Sequence, residues 1–106
     1  GRAEAACRRS LQAAEDIPFF RAWAAARLGA FLARQGRPDE AAQHVQAALK
    51  AGTPLTRHEA RWAHAELLAS RGDHEACRAA ATTALEQAQD GGYLILVPRL
   101  RELAGR

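Results

Sequence analysis

The stretch at residues 27–51 limits the possible folds of this chain most strongly, because it carries the signals of two helices joined by a tight turn. Leu28, Gly29 and Leu32 have the spacing that lines one face of a helix. Gly36 should end that helix, since glycine accepts the left-handed backbone conformation of a helix C-terminus. Pro38 suits the first position of a second helix, because it has no N–H to leave unpaired. The apolar stripe of that second helix is Ala41, Val45, Ala48 and Leu49.

The same pattern occurs a second time further along the chain. Gly72 follows Gly36 by 36 residues, and Leu85 follows Leu49 by the same interval. The other matched pairs are Gly29 with Ala65, Leu32 with Leu68, Ala41 with Cys77, Val45 with Ala81 and Ala48 with Ala84. Self-similarity at a fixed period of this size is the sequence signature of a repeat protein.

The arrangement Leu28-Gly29-x2-Leu32, then Gly36, then Ala41-x3-Val45-x2-Ala48 resembles the tetratricopeptide repeat, whose standard period is 34 residues. Ala25 and Leu32 stand where that family prefers tryptophan and tyrosine. The resemblance implies an all-α fold in which antiparallel helix pairs stack as a right-handed superhelix. It also implies that the first helix of each pair lines a concave groove and the second forms the convex back.

We predict one helical-repeat domain over residues 1–106, with a truncated repeat helix at 1–16, a repeat at 19–52, a degenerate repeat at 55–90 and a C-terminal capping helix at 93–104. The predicted helices within the two repeats cover residues 19–35, 38–51, 55–71 and 74–89. Asp73 is the expected N-cap of the last of these. In the final segment a helix requires Pro98 to lie in the first turn. A strand at 93–97 is the alternative, but no other segment offers it a partner.

The composition favours thin, closely packed helices in a bacterial, cytoplasmic protein. The alanine- and arginine-rich sequence and the closing GGYLILVPRLRELAGR resemble the helical-repeat regions of large bacterial transcription activators of the MalT-like and antibiotic-regulatory (SARP-like) types. The chain begins at Gly1 and contains no methionine, so we expect either a processed chain or, as the favoured interpretation, a segment of a longer regulatory protein. Cys7 and Cys77 fall on helical apolar stripes and are expected to be buried, reduced thiols.

No motif predicts catalysis, a bound cofactor or a metal site. His74 and Cys77 stand at a chelating i, i+3 spacing, and His58 and His64 lie on the preceding predicted helix. A zinc site usually needs at least three converging protein ligands, and the sequence does not place a third. Neither a dinucleotide-binding nor a P-loop glycine motif occurs. We therefore expect no catalytic, cofactor-binding or metal-binding residues and a protein that is not an enzyme.

The candidate partner-binding surface is the concave groove that the resemblance implies. Its expected residues are Trp23, Arg27, Ala30 and Arg34 on one helix and Glu59, Trp62, Glu66 and Ser70 on another. Leaving aside the two small residues, these form a basic wall beside an acidic wall with an aromatic residue at each. The alternative is that Trp23 and Trp62 fill gaps between stacked helices. The family's peptide-carboxylate clamp requires asparagines, and this chain has none.

A protein or peptide partner is the favoured ligand, and a small effector held in the same groove is the alternative. The net charge of +3 and the pI of about 9.5 also allow a basic patch, formed by Arg8, Arg9, Arg57, Arg61, Arg99 and Arg101. A nucleic-acid interface would carry a denser stripe of basic residues with interleaved aromatic residues for stacking, so direct nucleic-acid contact is disfavoured. No apolar run approaches the ~20 residues of a membrane span. A homo-oligomer formed through the end repeats stays open.

Overall fold

The computed structural model describes residues 1–13, 18–51, 56–91 and 94–105, and these residues form helices and turns without any strand. The helices are α1 (Arg2–Ala13), α2 (Pro18–Arg34), α3 (Pro38–Ala51), α4 (Arg57–Ser70), α5 (His74–Asp90) and α6 (Val97–Ala104), with a 3-10 turn at Leu94–Leu96 before α6. The predicted all-α class is confirmed. The sequence also predicts breaks between helices at 16–18, 52–54 and 90–92, and of these positions 16–17, 52–54 and 92 lie outside the described residues.

Two equivalent glycines end the first helix of each predicted pair. Gly36 has φ = 75° and Gly72 has φ = 77°, both in the left-handed region. The amide of Arg37 donates to the carbonyl of Leu32 at 3.0 Å, which closes the α2–α3 turn. The corresponding bond of the α4–α5 turn runs from Asp73 to Leu68, also at 3.0 Å. The predicted helix-turn signal is therefore confirmed at both positions.

The predicted helix ends need only small corrections. The side chain of Asp73 accepts a hydrogen bond from the Ala76 amide at 3.2 Å, so Asp73 is the N-cap that the sequence predicts. Pro98 lies in the first turn of α6, where its missing N–H leaves no bond unmade. The final helix is shorter than predicted, because Leu94–Leu96 form a 3-10 turn and the α-helix begins at Val97. The strand alternative is wrong for residues 94–97.

The helices pack mainly against their neighbours in the chain. α2 contacts α1, α3 and α4, while α4 contacts α2, α3, α5 and, more lightly, α6. Alanine makes up most of the core, and the largest fully buried apolar side chains of the described residues include Leu28, Leu32, Leu67, Leu100 and Leu103. Small residues let helix backbones approach closely. A Cβ added to Gly29 would come within 2.9 Å of a methyl group of Val45, so α2 and α3 approach each other closely there.

A network of four charged side chains holds α1 against the start of α3. Glu4 accepts hydrogen bonds from Arg37 at 2.6 Å and from Arg8 at 3.0 Å. Arg37 also binds Glu40 at 2.7 Å, and Arg8 lies 3.6 Å from the same carboxylate. Hydrogen bonds from Arg37 and Arg8 lower the pKa of Glu4, and the bonds to Glu4 and Glu40 raise the pKa of Arg37. The network fixes the position of the helix that carries Cys7.

Candidate functional site

An open cavity of about 530 Å³ lies between α1, α2 and α4. Its lining residues are Cys7, Arg27, Phe31, Arg34, Gln35 and Trp62. The four residues from α2 stand at positions i, i+4, i+7 and i+8, which share one face of a helix. The cavity therefore has one long wall from α2, with single contributions from α1 and α4.

Arg27 lies between two tryptophans at one end of this wall. Its guanidinium carbon is 4.8 Å from the ring centre of Trp23 and 5.9 Å from that of Trp62, both within cation–π range. Its Nη2 lies 3.3 Å from Oε1 of Glu59 on α4. Stacking and ion pairing together hold the guanidinium in one orientation, although Arg27 is only half-buried.

The Arg27–Glu59 pair keeps unused hydrogen-bonding capacity. Nε of Arg27 and Oε2 of Glu59 are buried, and neither has a hydrogen-bond partner within the described part of the chain. Glu59 is only 6% exposed, so water does not cover its carboxylate fully. Buried polar groups of this kind are usually paired, and those left over are found where a water or a ligand binds.

Arg34 and Gln35 form the other end of the α2 wall, and both are exposed. Arg34 makes no ion pair with any residue that the structure describes. This end of the cavity therefore presents a guanidinium to solvent that no carboxylate of the described chain neutralises.

Trp62 joins the cavity to a buried charge network behind it. Trp62 is 8% exposed, and its Nε1–H donates to Oε2 of Glu66 at 2.9 Å. Glu66 also accepts from Arg99 of α6, at 2.8 Å from Nε and 2.7 Å from Nη2. These bonds and the bond to Glu102 raise the pKa of Arg99. The Glu66 carboxylate is thus occupied by α4 and α6 and does not reach the cavity as a free charge.

Two half-buried histidines of α4 have lowered pKa values, and one of them, His58, lies beside Glu59. Burial is the main cause that lowers the pKa of His58, and Arg27 lowers it further while Glu59 opposes the change. The ring Nε2 of His58 lies 3.7 Å from Oε1 of Glu59, a separation that is an ion pair only when the ring is protonated. Burial and nearby Arg71 lower the pKa of His64. Both rings are therefore mainly uncharged at neutral pH.

The structure brings four of the eight expected groove residues into one cluster, namely Trp23, Arg27, Glu59 and Trp62. Arg34 lies on the same cavity wall, and Glu66 lies behind Trp62. Two details of the sequence-based picture are wrong. Ala30 is fully buried and does not face a groove. The acidic wall is not open, because Glu59 and Glu66 are buried and paired with arginines.

Sequence reasoning missed three lining residues, Cys7, Phe31 and Gln35. Phe31 stands four residues after Arg27, so its position on the same helix face was readable from spacing alone. Gln35 lies four residues after Phe31 and carries the same signal. Cys7 belongs to a separate helix, and only the packing of α1 on α2 brings it to the cavity.

The other sequence candidates are placed as follows. Neither cysteine forms a disulfide; Cys77 is buried, as expected, but Cys7 is only half-buried. His74 is exposed while Cys77 is buried, so this pair does not present a chelating face. Within the described ranges no three histidine, cysteine or acidic side chains lie close enough to hold a metal ion.

The arginines of the supposed basic patch are partly occupied by other side chains. Arg8 binds Glu4, Arg61 donates to Gln87, and Arg99 binds Glu66. Carboxylates therefore offset the charges of Arg8 and Arg99, which makes these two arginines less available to a nucleic acid. None of the helices that the structure describes is long and apolar enough to cross a membrane.

Comparison of the chain with family models, curated proteins and solved structures found no match.

Proposed function

We propose that this chain is a tetratricopeptide-like helical repeat that acts as a non-enzymatic protein-interaction module. Support for the repeat comes from two helical hairpins closed by glycines 36 residues apart, with matching φ angles and matching amide bonds. The first helices of the two hairpins, α2 and α4, pack against each other. Such neighbour-to-neighbour packing is how repeats bury a shared core.

The observation that carries the interaction function is the cavity beside α2. It combines aromatic side chains with two arginines, residue types that are enriched where proteins bind one another. The cation–π stack and the Glu59 ion pair hold Arg27 before any partner arrives, which lowers the entropy lost on binding. The proposal includes a setting in a larger bacterial regulatory protein, such as a transcription activator, in the cytoplasm.

Site-specific photo-crosslinking tests the interaction function. A benzophenone amino acid replaces Phe31 in the cavity, and a second variant carries it at Gln46, an exposed position of α3. Both variants are expressed in a bacterium and irradiated. We expect covalent protein adducts from position 31 and none of the same species from position 46. Equal adducts at both positions, or none at either, would contradict a partner-binding groove.

A small effector bound in the same cavity is the second candidate function. The observation that favours it is the volume of about 530 Å³, which lies within the range of small-ligand pockets. A thermal-shift screen of aromatic and aliphatic carboxylates separates the two functions. A carboxylate that raises the melting temperature of the wild type and not of Arg34→Gln would favour the effector.

A further inference from the structure

The cavity beside α2 carries an excess of positive charge. Arg27 and Arg34 both line it, and no carboxylate does so within the described chain. Glu59 pairs with Arg27, but it leaves Arg34 without a counter-charge. The other nearby buried carboxylate, Glu66, is held by Arg99 at 2.7 Å and is not available to either arginine of the cavity. A ligand with a negative charge at the Arg34 end of the cavity would neutralise the charge of Arg34.

Apolar surface lies directly beside this charge. Phe31 is half-buried and stands between the two arginines on the α2 wall, while Trp62 and Cys7 contribute from the other helices. Phe31 and Arg34 are three residues apart, which is about 4.5 Å along a helix axis. Side chains two positions apart lie on the same face of an extended peptide, roughly 6–7 Å apart, and the length of the Arg34 side chain spans the difference. The surface thus presents one apolar contact and one cation that two such side chains reach together.

We propose that this groove binds an extended peptide segment of a partner protein in which an aspartate or glutamate stands two positions from an aromatic or large aliphatic residue. The carboxylate pairs with the Arg34 guanidinium, and the apolar side chain covers Phe31 and the exposed edge of Trp62. This inference rests on the proposed interaction function and adds to it the chemistry of the partner. Electrostatic complementarity then supplies specificity and rate, while the apolar contact supplies most of the affinity.

The test begins with a random peptide library displayed on phage and selected against the 106-residue chain. The dissociation constant of an enriched peptide is measured by fluorescence anisotropy. Two synthetic versions of the same peptide replace its acidic residue with glutamine and with lysine. We expect enriched sequences to pair an acidic residue with an aromatic one. The acidic peptide should bind about tenfold more tightly than its glutamine version, the effect of one charge-assisted contact.

Arg34→Gln identifies the site, and Arg71→Gln is its matched control. Both arginines are exposed at the C-terminal end of a first helix, but Arg71 does not line the cavity. The advantage of the acidic peptide should disappear in Arg34→Gln and persist in Arg71→Gln. Circular dichroism confirms that both variants keep their helices. The advantage should also shrink when the salt concentration rises from about 50 to about 300 mM, because salt screens the attraction between exposed charges.

The outcomes separate this inference from the function on which it rests. Enriched peptides without an acidic residue, or an advantage that survives in Arg34→Gln, would overturn the inference and leave the interaction module standing. Failure to enrich any peptide over an unrelated helical control protein would overturn both. Enrichment of basic peptides would instead show that the peptide binds the Glu59 carboxylate, which also contradicts the proposal.

Discussion

Gly36 and Gly72 adopt backbone angles that other residues take up only at a cost, and each hairpin closes through one of them. Position 36 has open space around it, since an added Cβ would meet no atom within 4 Å. A substitution there therefore tests backbone strain alone. Gly36→Val should lower the free energy of unfolding by roughly 1–2 kcal/mol, measured by urea denaturation. Gly36→Asn should lose less, because asparagine tolerates the left-handed region. An unchanged urea midpoint in the valine variant would contradict this assignment.

Trp62 is the residue for which sequence reasoning left two roles open, groove anchor or gap filler. Its exposure of 8% and its bond to the buried Glu66 place it in the core, with only an edge at the cavity. Trp62→Ala should therefore lower the free energy of unfolding by roughly 3–5 kcal/mol, the range for large buried aromatics. Trp23 is only half-buried, so Trp23→Ala should cost clearly less in the same urea titration. Equally small losses of unfolding free energy in the two variants would contradict the core position of Trp62.

At the scale of elements, the α2–α3 and α4–α5 hairpins pack their two helices together with different side chains at equivalent positions. Where α2 meets α3, Gly29 faces Val45. The equivalent positions of α4 and α5 carry Ala65 and Ala81, and both are fully buried. The first hairpin thus places a glycine opposite a branched side chain, and the second has an alanine at each of the two positions. The two interhelix contacts therefore differ in residue type but have a similar total side-chain volume.

This exchange predicts a coupled pair of substitutions. Gly29→Ala puts a methyl group 2.9 Å from Val45 and should cost roughly 1–3 kcal/mol of overpacking, partly offset by about 1 kcal/mol of better helix propensity. Combining it with Val45→Ala recreates the pair found at Ala65 and Ala81. The double variant should be more stable than the sum of the two single changes predicts, as measured in a double-mutant cycle. Strict additivity would show that α2 and α3 do not constrain each other at this point.

The contact between α4 and α6 depends on Arg99, which supplies two hydrogen bonds to the buried Glu66 carboxylate. Arg99→Met leaves that carboxylate with the Trp62 N–H alone. Because Arg99 is partly exposed, we expect a loss of about 2–4 kcal/mol, slightly below the cost of breaking a fully buried pair. Adding Glu66→Met to Arg99→Met should restore part of the lost free energy of unfolding, because the double variant has no unpaired buried charge at this position. Urea denaturation of the three variants measures both effects, and a double variant less stable than Arg99→Met would contradict this account.

The helices could be predicted from the sequence because their signals are local. Gly36, Pro38, Gly72 and Asp73 each act within one turn of the backbone, and the structure confirms them all. The side-chain arrangement of the site was less predictable, because it depends on contacts between separate helices. Spacing on α4 places Glu59 and Glu66 on one face, but it cannot show that arginines of α2 and α6 will bind them.

At the scale of the whole molecule, the core is built largely from alanine, so charged networks contribute to holding peripheral helices in place. Arg99 connects α6 to α4, and Glu4 connects α1 to the turn before α3. The α1 network is more exposed than the α6 network, which makes it more sensitive to solvent conditions. Since α1 supplies Cys7 to the cavity, the shape of the candidate groove depends on that network.

Within the described part of the chain, four groups have pKa values that fall on folding, and they set the expected effect of pH on stability. Burial is the main cause that lowers the pKa of His44, His58 and His64 below the usual 6.5. Arginine hydrogen bonds lower the pKa of Glu4 below the usual 4.5. For each group the unfolded chain binds protons more readily than the folded one. The stability that these groups contribute is therefore complete above the unfolded pKa and is lost as pH falls through the folded pKa.

We accordingly predict that the free energy of unfolding is nearly constant from pH 8 to 7.5, declines as pH drops below about 6.5, and declines again below about 4.5. Urea titrations at half-unit intervals measure the curve. His64→Gln should flatten the upper part of the decline, because glutamine cannot take up a proton on unfolding. Glu4→Gln should flatten only the part below pH 4.5, while loosening α1 at neutral pH as seen by faster amide exchange in Arg2–Ala13. Stability that rises between pH 7 and 5 would mean that the histidines gain a carboxylate partner on folding, contrary to the burial that dominates their surroundings.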